Sequence, residues 1–248
     1  MNFVVSDLQV GTTYQVFART ICGGEDGNSE WSDAPAKVRT QYYFKDSYFF
    51  GFEKSEGWER SLKVLIVARA YPQQHNSMAG LFERDQAQAL AAAGMDVAYA
   101  VPDMRSIRRR RKFGVNRFED RGVAVYEISW PIGPMPTALK DFAYRRSLTR
   151  LYSSIESTFG TPDIIHAHFF PYGLAAANLS STTGVPLVIT EHSSLMGKDN
   201  ISEKTLKRAK AAYDGCMKLI TVSSFLASRI QLLTGHESIV VPNIVALD

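Results

Sequence analysis

PDIIHAHFFPYGLAAANLSSTTGVPLVITEHSS, residues 162–194, is the stretch whose reading decides the fold. It holds two short apolar runs, 163–165 and 187–190, and each runs into a polar cluster built on histidine. The first reaches His166, Ala167 and His168; the second reaches Glu191, His192 and Ser193. Between them, residues 174–179 are apolar and small, as a crossover helix requires. A strand–helix–strand unit of this kind is parallel in an open α/β sheet, so both clusters fall at one edge. That edge, outside the carboxyl ends of the strands, is where such sheets bind ligands.

Working outward, the same alternation continues on both sides. Residues 63–68 (KVLIVA) form an apolar run of the kind buried in parallel sheets. A loop then leads to Gly80 and a helix through Ala93, with Phe82, Ala89, Leu90 and Ala93 expected on its inner face and Gly94 stopping it. Strands are expected at 96–101 and 123–128, with a polar, basic segment between them. Residues 130–136 form a proline-broken loop, and 139–159 an amphipathic helix. Beyond the central unit come a basic helix near 204–213 and a strand at 218–222. Ser223 and Ser224 are placed to cap a helix whose Leu226, Ile230 and Leu233 face inward, and a last strand spans 238–241. From Lys63 onward the pattern predicts a doubly wound, mostly parallel α/β sheet.

The first sixty residues differ. Signals from 4 to 40 are all β: strands are expected at 12–20 and 36–40, joined by the turn-rich ICGGEDGNSEWSDAP. Residues 42–61 are aromatic-rich without a period and read as linker or β-module fragment; a sugar-stacking surface is the other reading. The expected organisation is therefore 1–41, 42–61 and 62–248.

Composition narrows the function. A formal charge of +3 over 248 residues gives no basis for a nucleic-acid partner. Cys22 and Cys216 form neither a disulfide framework nor a CxxC motif. No apolar run reaches membrane-spanning length, and the N-terminus shows no signal-peptide pattern. After the first strand there is no GxGxxG, which argues against a nicotinamide-dependent oxidoreductase.

KVLIVARAYP, AGLFERDQAQALAAAGMDVAYAVP, PDIIHAHFFPYG, GVPLVITEHSS, KLITVSSFL and IVVPNIV occur in this order. Taken together, residues 63–248 resemble the N-terminal, acceptor-binding half of a retaining family 4 glycosyltransferase of the GT-B type, with one of its two Rossmann-like domains. Separately, Leu8, Gly11, Tyr14, Glu30-Trp31-Ser32 and 37–40 resemble the closing strands of a fibronectin type III domain.

The transferase resemblance implies transfer from a nucleotide-sugar to a glycan or lipid-linked acceptor, with no cofactor and no metal. It implies that His168 lies beside the transferred sugar and that Gly80 lets backbone N–H groups approach the donor phosphates. For Gly80 the alternative is a glycine needed only for the turn. His166, Glu191, His192, Ser193 and Ser223 are expected at the acceptor or cleft; for Glu191, His192 and Ser193 local hydrogen bonding of a strand end is the other reading, and for Ser223 a helix cap. HxH with Glu191 or His192 leaves a metal site as a lesser alternative. Asn243 falls at the family's crossover into its donor domain, so the chain is expected to bind nucleotide-sugar weakly and to be inactive alone. Arg108, Arg109, Arg110, Arg111 and Lys112 are expected either to meet an anionic membrane, placing the protein in the cytoplasm at its inner face, or to form a solvated loop. The competing function is a non-enzymatic extracellular β-module or carbohydrate-binding fusion.

Overall fold

The computed structural model describes residues 13–16, 36–39, 61–72, 79–104, 114–130 and 136–243. The chain separates into two compact units, residues 1–60 with 246–248, and residues 61–245. In the first, β1 (Thr13–Val16) pairs antiparallel with β2 (Ala36–Arg39), Tyr14 opposite Val38. Leu8, Gly11, residues 30–32, Cys22 and the segment 42–60 lie outside the described residues.

The second unit carries β3 (Lys63–Val67), α1 (Leu81–Ala92), β4 (Asp96–Asp103), β5 (Gly114–Asp120), β6 (Val123–Ser129) and α2 (Thr137–Thr158). Then follow β7 (Ile164–His168), α3 (Phe170–Thr183), β8 (Leu187–Glu191), α4 (Glu203–Asp214), β9 (Lys218–Thr221), α5 (Ser224–Thr234) and β10 (Ile239–Val240). Eight strands form one sheet in the order β10-β9-β8-β7-β3-β4-β6-β5, all neighbours parallel except β5 with β6. This is the doubly wound, mostly parallel sheet that the sequence predicts.

Chain direction across the sheet reverses at β3. The path runs from β3 to β4 and β6 on one side, then returns through α2 to β7 on the other. Right-handed crossovers in opposite directions place their helices on opposite faces. Accordingly, Leu65, Val67, Ile165, Ala167, Leu187 and Ile189 share one core with the buried residues of α2, α3, α4 and α5. α1 packs on β4 and β6 from the other face. The switch point lies between β3 and β7, and its crevice opens at their carboxyl ends.

Three local expectations are corrected. The sequence predicts only a polar, basic segment where β5 lies; GVNRFED has no apolar alternation and is held by pairing with β6 through Arg121 and Gly122, both at positive φ (49° and 80°). α3 begins at Phe170 rather than Leu174, because the aromatic and proline lead-in conceals its first turn. The residues α1 buries are Glu83, Asp85 and Ala87, whereas Phe82, Ala89 and Leu90 are half-buried and Ala93 is exposed. An apolar count cannot turn a glutamate inward; here Arg69 and the helix N-terminus do so.

Candidate functional site

Both histidines of HxH belong to the strand. β7 extends through His168, which is completely buried and does not project beyond the strand end. Register fixes their side: Ile165 pairs with Leu65 in the α2–α4 core, so His166 and His168 point to the opposite face. Their rings stack at 4.6 Å between centroids. His166 Nε2 lies 2.7 Å from Thr190 Oγ1 on β8. His168 Nδ1 lies 2.9 Å from His192 Nε2, and these two rings also stack, at 5.1 Å.

The stack continues across the switch point. The Phe169 ring lies 5.1 Å from His192, and the Arg69 guanidinium sits 5.0 Å from the Phe169 ring on its other contact. Arg69 follows β3, so the chain of contacts Arg69–Phe169–His192–His168–His166 runs from the end of β3 to β7 and β8. Phe169 occupies φ 65°, ψ 142°, a conformation L-residues rarely adopt, and links β7 to α3 without an intervening loop. Its N–H donates to Thr190 O at 2.9 Å.

All three imidazoles are held neutral. Burial lowers His166 to about 3, with His192 adding to the effect. Burial first, then His166 and His192, push His168 well below its ordinary value. Burial lowers His192 to about 4; the Asn243 side chain opposes that shift and Arg69 favours it. His168 Nε2 and His192 Nδ1 are buried without a well-formed hydrogen bond. The pair therefore shares one proton between its facing nitrogens and leaves one donor and one acceptor at its two ends.

Two helix N-termini flank the crevice, and each is met by a buried glutamate. Glu191 ends β8 and is fully buried. Its Oε2 accepts from the Phe170 N–H and the Tyr213 hydroxyl, both at 2.9 Å, and its Oε1 accepts from the Ser193 N–H at 2.8 Å. At the head of α3, Pro171 has no N–H, and the Tyr172 and Gly173 amides donate to the Phe169 carbonyl. Every amide of that first turn is accounted for. Burial raises the Glu191 carboxyl while these donors hold it down. Of the two readings of Glu191, the local hydrogen-bonding one describes its geometry, since its oxygens are occupied and screened.

At the head of α1, burial raises Glu83, opposed by its own backbone N–H and by Arg69. Arg69 Nε lies 3.4 Å from Glu83 Oε1. Gly80 sits at φ 90°, and a Cβ there would lie 2.2 Å from the Ala70 carbonyl oxygen. The turn alone thus requires glycine. The amides of Leu81 and Phe82 precede the first intrahelical bond, from the Arg84 N–H to Gly80 O.

Ser223 caps α5, its hydroxyl accepting from the Leu226 N–H at 3.2 Å. The Ser193 hydroxyl accepts from the Leu195 N–H at 3.1 Å. Among the described residues no group of three His, Cys, Asp or Glu is placed to hold a metal ion. Arg108 to Arg111 and Lys112 lie outside the described residues. Sequence reading missed Arg69, Glu83, Phe169 and Tyr213. Only Arg69 carried a positional signal, directly after a predicted strand at the carboxyl edge.

Residues 83–248 match the model of glycosyltransferase family 4. The chain belongs to that family. Its fold is one Rossmann-like half of a GT-B glycosyltransferase, and solved structures agree with it. Sucrose-phosphate synthase from Thermosynechococcus elongatus is 17% identical, with a TM-score of 0.55 over 73% of this chain and 48% of that one. A second structure of that enzyme gives 0.50 at 15% identity, over 73% and 87%. UGT2 of Phytolacca americana gives 0.50 at 10% identity, over 73% and 51%. The family 4 chain thus spans about half the length of the sucrose-phosphate synthase and UGT2 structures. No curated protein matches it by sequence. The family match begins at Glu83, so the fibronectin-like reading of 4–40 receives nothing from it.

Proposed function

We propose that residues 62–248 form the acceptor-binding half of a retaining glycosyltransferase. It would move a sugar from a nucleotide-sugar to a glycan or lipid-linked acceptor, in partnership with a second Rossmann-like half that grips the nucleotide. The observation that carries this reading is the buried His168–His192 pair at the switch point of a family 4 domain. A neutral pair that carries a donor at one end and an acceptor at the other suits sugar hydroxyls, which offer both. It offers no charge to a pyrophosphate.

The helix termini support the same division of labour. The α3 amides are spent, and the Glu83 carboxyl already occupies the first turn of α1 beside Gly80. In this reading His168 serves the transferred sugar, and the rings of His166 and His192 stack against the His168 ring. Catalysis rests on positioning and on fixed dipoles more than on a strong protein base. An anionic membrane at the inner face, approached through Arg108 to Lys112, is where a lipid-linked acceptor would be met.

Titration calorimetry of the 248-residue chain with nucleotide-sugars tests the assignment. Weak heats, unchanged by His168→Ala, are expected; tight binding places the donor site in this half and overturns the reading.

A further inference from the structure

The outer side of the α2 N-terminal turns combines exposed apolar side chains with a cluster of cations. Leu139 and Phe142 are 51% and 53% exposed, and they lie three residues apart on one side of the helix, opposite the buried Leu148, Leu151 and Ile155. Around them stand the exposed Lys140, Arg145, Arg146 and Arg150. From Thr137 to Ile155 the only acidic residue is Asp141. It is half-buried and held by Arg208, whose Nε donates to Asp141 Oδ2 at 2.8 Å, so it does not offset those cations.

The helix terminus adds to the charge. α1 and α3 each have a buried carboxylate at their first turn; α2 begins after Pro136 with no side-chain cap and no acid in its first turn. That end of the helix lies at the carboxyl edge of the sheet, the edge that holds His168. Trp130, 42% exposed, follows β6 at that same edge. A protruding leucine and phenylalanine ringed by arginine and lysine have the composition of a segment that lies in a bilayer interface, apolar side chains among the acyl chains and cations at the headgroups. A protein partner would need a matching acidic rim; an anionic leaflet supplies one everywhere.

We infer that the first turns of α2, through Leu139, Phe142, Lys140, Arg145, Arg146 and Arg150, are a docking surface for an anionic lipid bilayer, bringing the switch-point crevice against the membrane. This deepens the membrane-acceptor reading above and rests on it. It moves the principal contact from the 108–112 run to a helix of fixed geometry.

Co-sedimentation of the full chain with phosphatidylcholine vesicles, with and without phosphatidylglycerol, tests this without any sugar donor. Failure here therefore leaves the transferase assignment standing. Binding is expected only with phosphatidylglycerol and should weaken with salt. Arg145→Gln with Arg146→Gln should lower the partition coefficient about fivefold per cation removed. Leu139→Ser with Phe142→Ser should lower it at least about tenfold, with thermal unfolding unchanged because both side chains are exposed. Equal binding to neutral vesicles, no binding to anionic ones, or loss confined to an Arg108–Arg111→Gln variant each overturns the inference. So does self-association that the Leu139 and Phe142 changes abolish, which would identify the occupant as a second copy.

Discussion

His168 Nδ1 and His192 Nε2 stand 2.9 Å apart, and the far nitrogen of each ring is buried without a well-formed hydrogen bond, with the Asn243 side chain acting on His192. A neutral imidazole carries one N–H, so only two arrangements are compatible with this contact. In one, His192 donates, which makes His168 Nε2–H a donor and His192 Nδ1 an acceptor. In the other, the roles reverse.

Keeping these rings neutral has a consequence for stability. His166 and His192 are lowered to about 3 and about 4 in the folded chain, against 6.5 when unfolded. The unfolded state therefore binds more protons as pH falls below 6.5. Stability is fully present above 6.5 and is lost as pH falls through 4 and towards 3. Glu83 and Glu191 act with the opposite sign, because their raised carboxyls take up protons earlier in the folded state. Urea unfolding at pH 7 and pH 4.5 separates the two: a His166→Gln, His192→Gln variant should lose less stability over this range than the parent, by on the order of 1–3 kcal/mol. Equal losses would show that these rings are protonated in the native state.

Glu191 and Tyr213 should prove strongly coupled. The Tyr213 hydroxyl donates to a buried oxygen that also receives the Phe170 amide. Glu191→Gln can keep one acceptor but not all three donors, so a loss of about 1–3 kcal/mol is expected. Tyr213→Phe alone leaves the carboxylate short of a donor. In a double-mutant cycle read by chemical denaturation, the pair should return a coupling of about 1 kcal/mol or more; additive losses would mean the two groups do not share a bond in solution.

The fold was legible because the strands are short, apolar and regularly spaced, and because period and punctuation agree from Lys63 onward. The edge location of HAH and TEHSS followed from strand parallelism alone. What stayed hidden depends on contacts between distant residues. Glu83 reads as an ordinary solvent-facing residue of a first helical turn; its burial follows from Arg69, fourteen positions earlier. Phe169 gives no sign of a positive φ, since such a conformation is normally signalled by glycine or asparagine. Glu191 was visible as a polar strand end, but its partner Tyr213 lies in α4, beyond any local pattern. β5 is mostly polar, with Val115 and Phe118 its apolar side chains, and pairs along its length with β6.

Gly80→Ala should destabilise the domain in the absence of any ligand. The added methyl would lie 2.2 Å from the Ala70 carbonyl oxygen, which also accepts the Tyr99 hydroxyl at 2.9 Å, and the backbone sits at φ 90°. Relief requires moving the turn between β3 and α1 or breaking that bond, at a cost of about 1–3 kcal/mol. A thermal scan without nucleotide measures it. An unchanged melting temperature would remove the steric requirement and leave ligand approach as the reason for glycine.

Phe169 offers a reversal of an ordinary rule. At most positions glycine is less stable than alanine by about 0.5–1 kcal/mol, because it has more backbone freedom to lose. At φ 65° and ψ 142° an alanine keeps the strain of the phenylalanine and loses its ring contacts with Arg69 and His192. Glycine loses the same contacts but occupies the conformation without a Cβ penalty. Phe169→Gly should therefore be more stable than Phe169→Ala, by about 1 kcal/mol, in parallel urea titrations. Both should weaken the His168–His192 contact, which the Phe169 ring backs, and histidine nitrogen chemical shifts would report that directly. If alanine proves the more stable, the backbone has relaxed out of the positive-φ conformation once the ring is gone. The aromatic stack, rather than the strand-to-helix junction, would then be what holds it there.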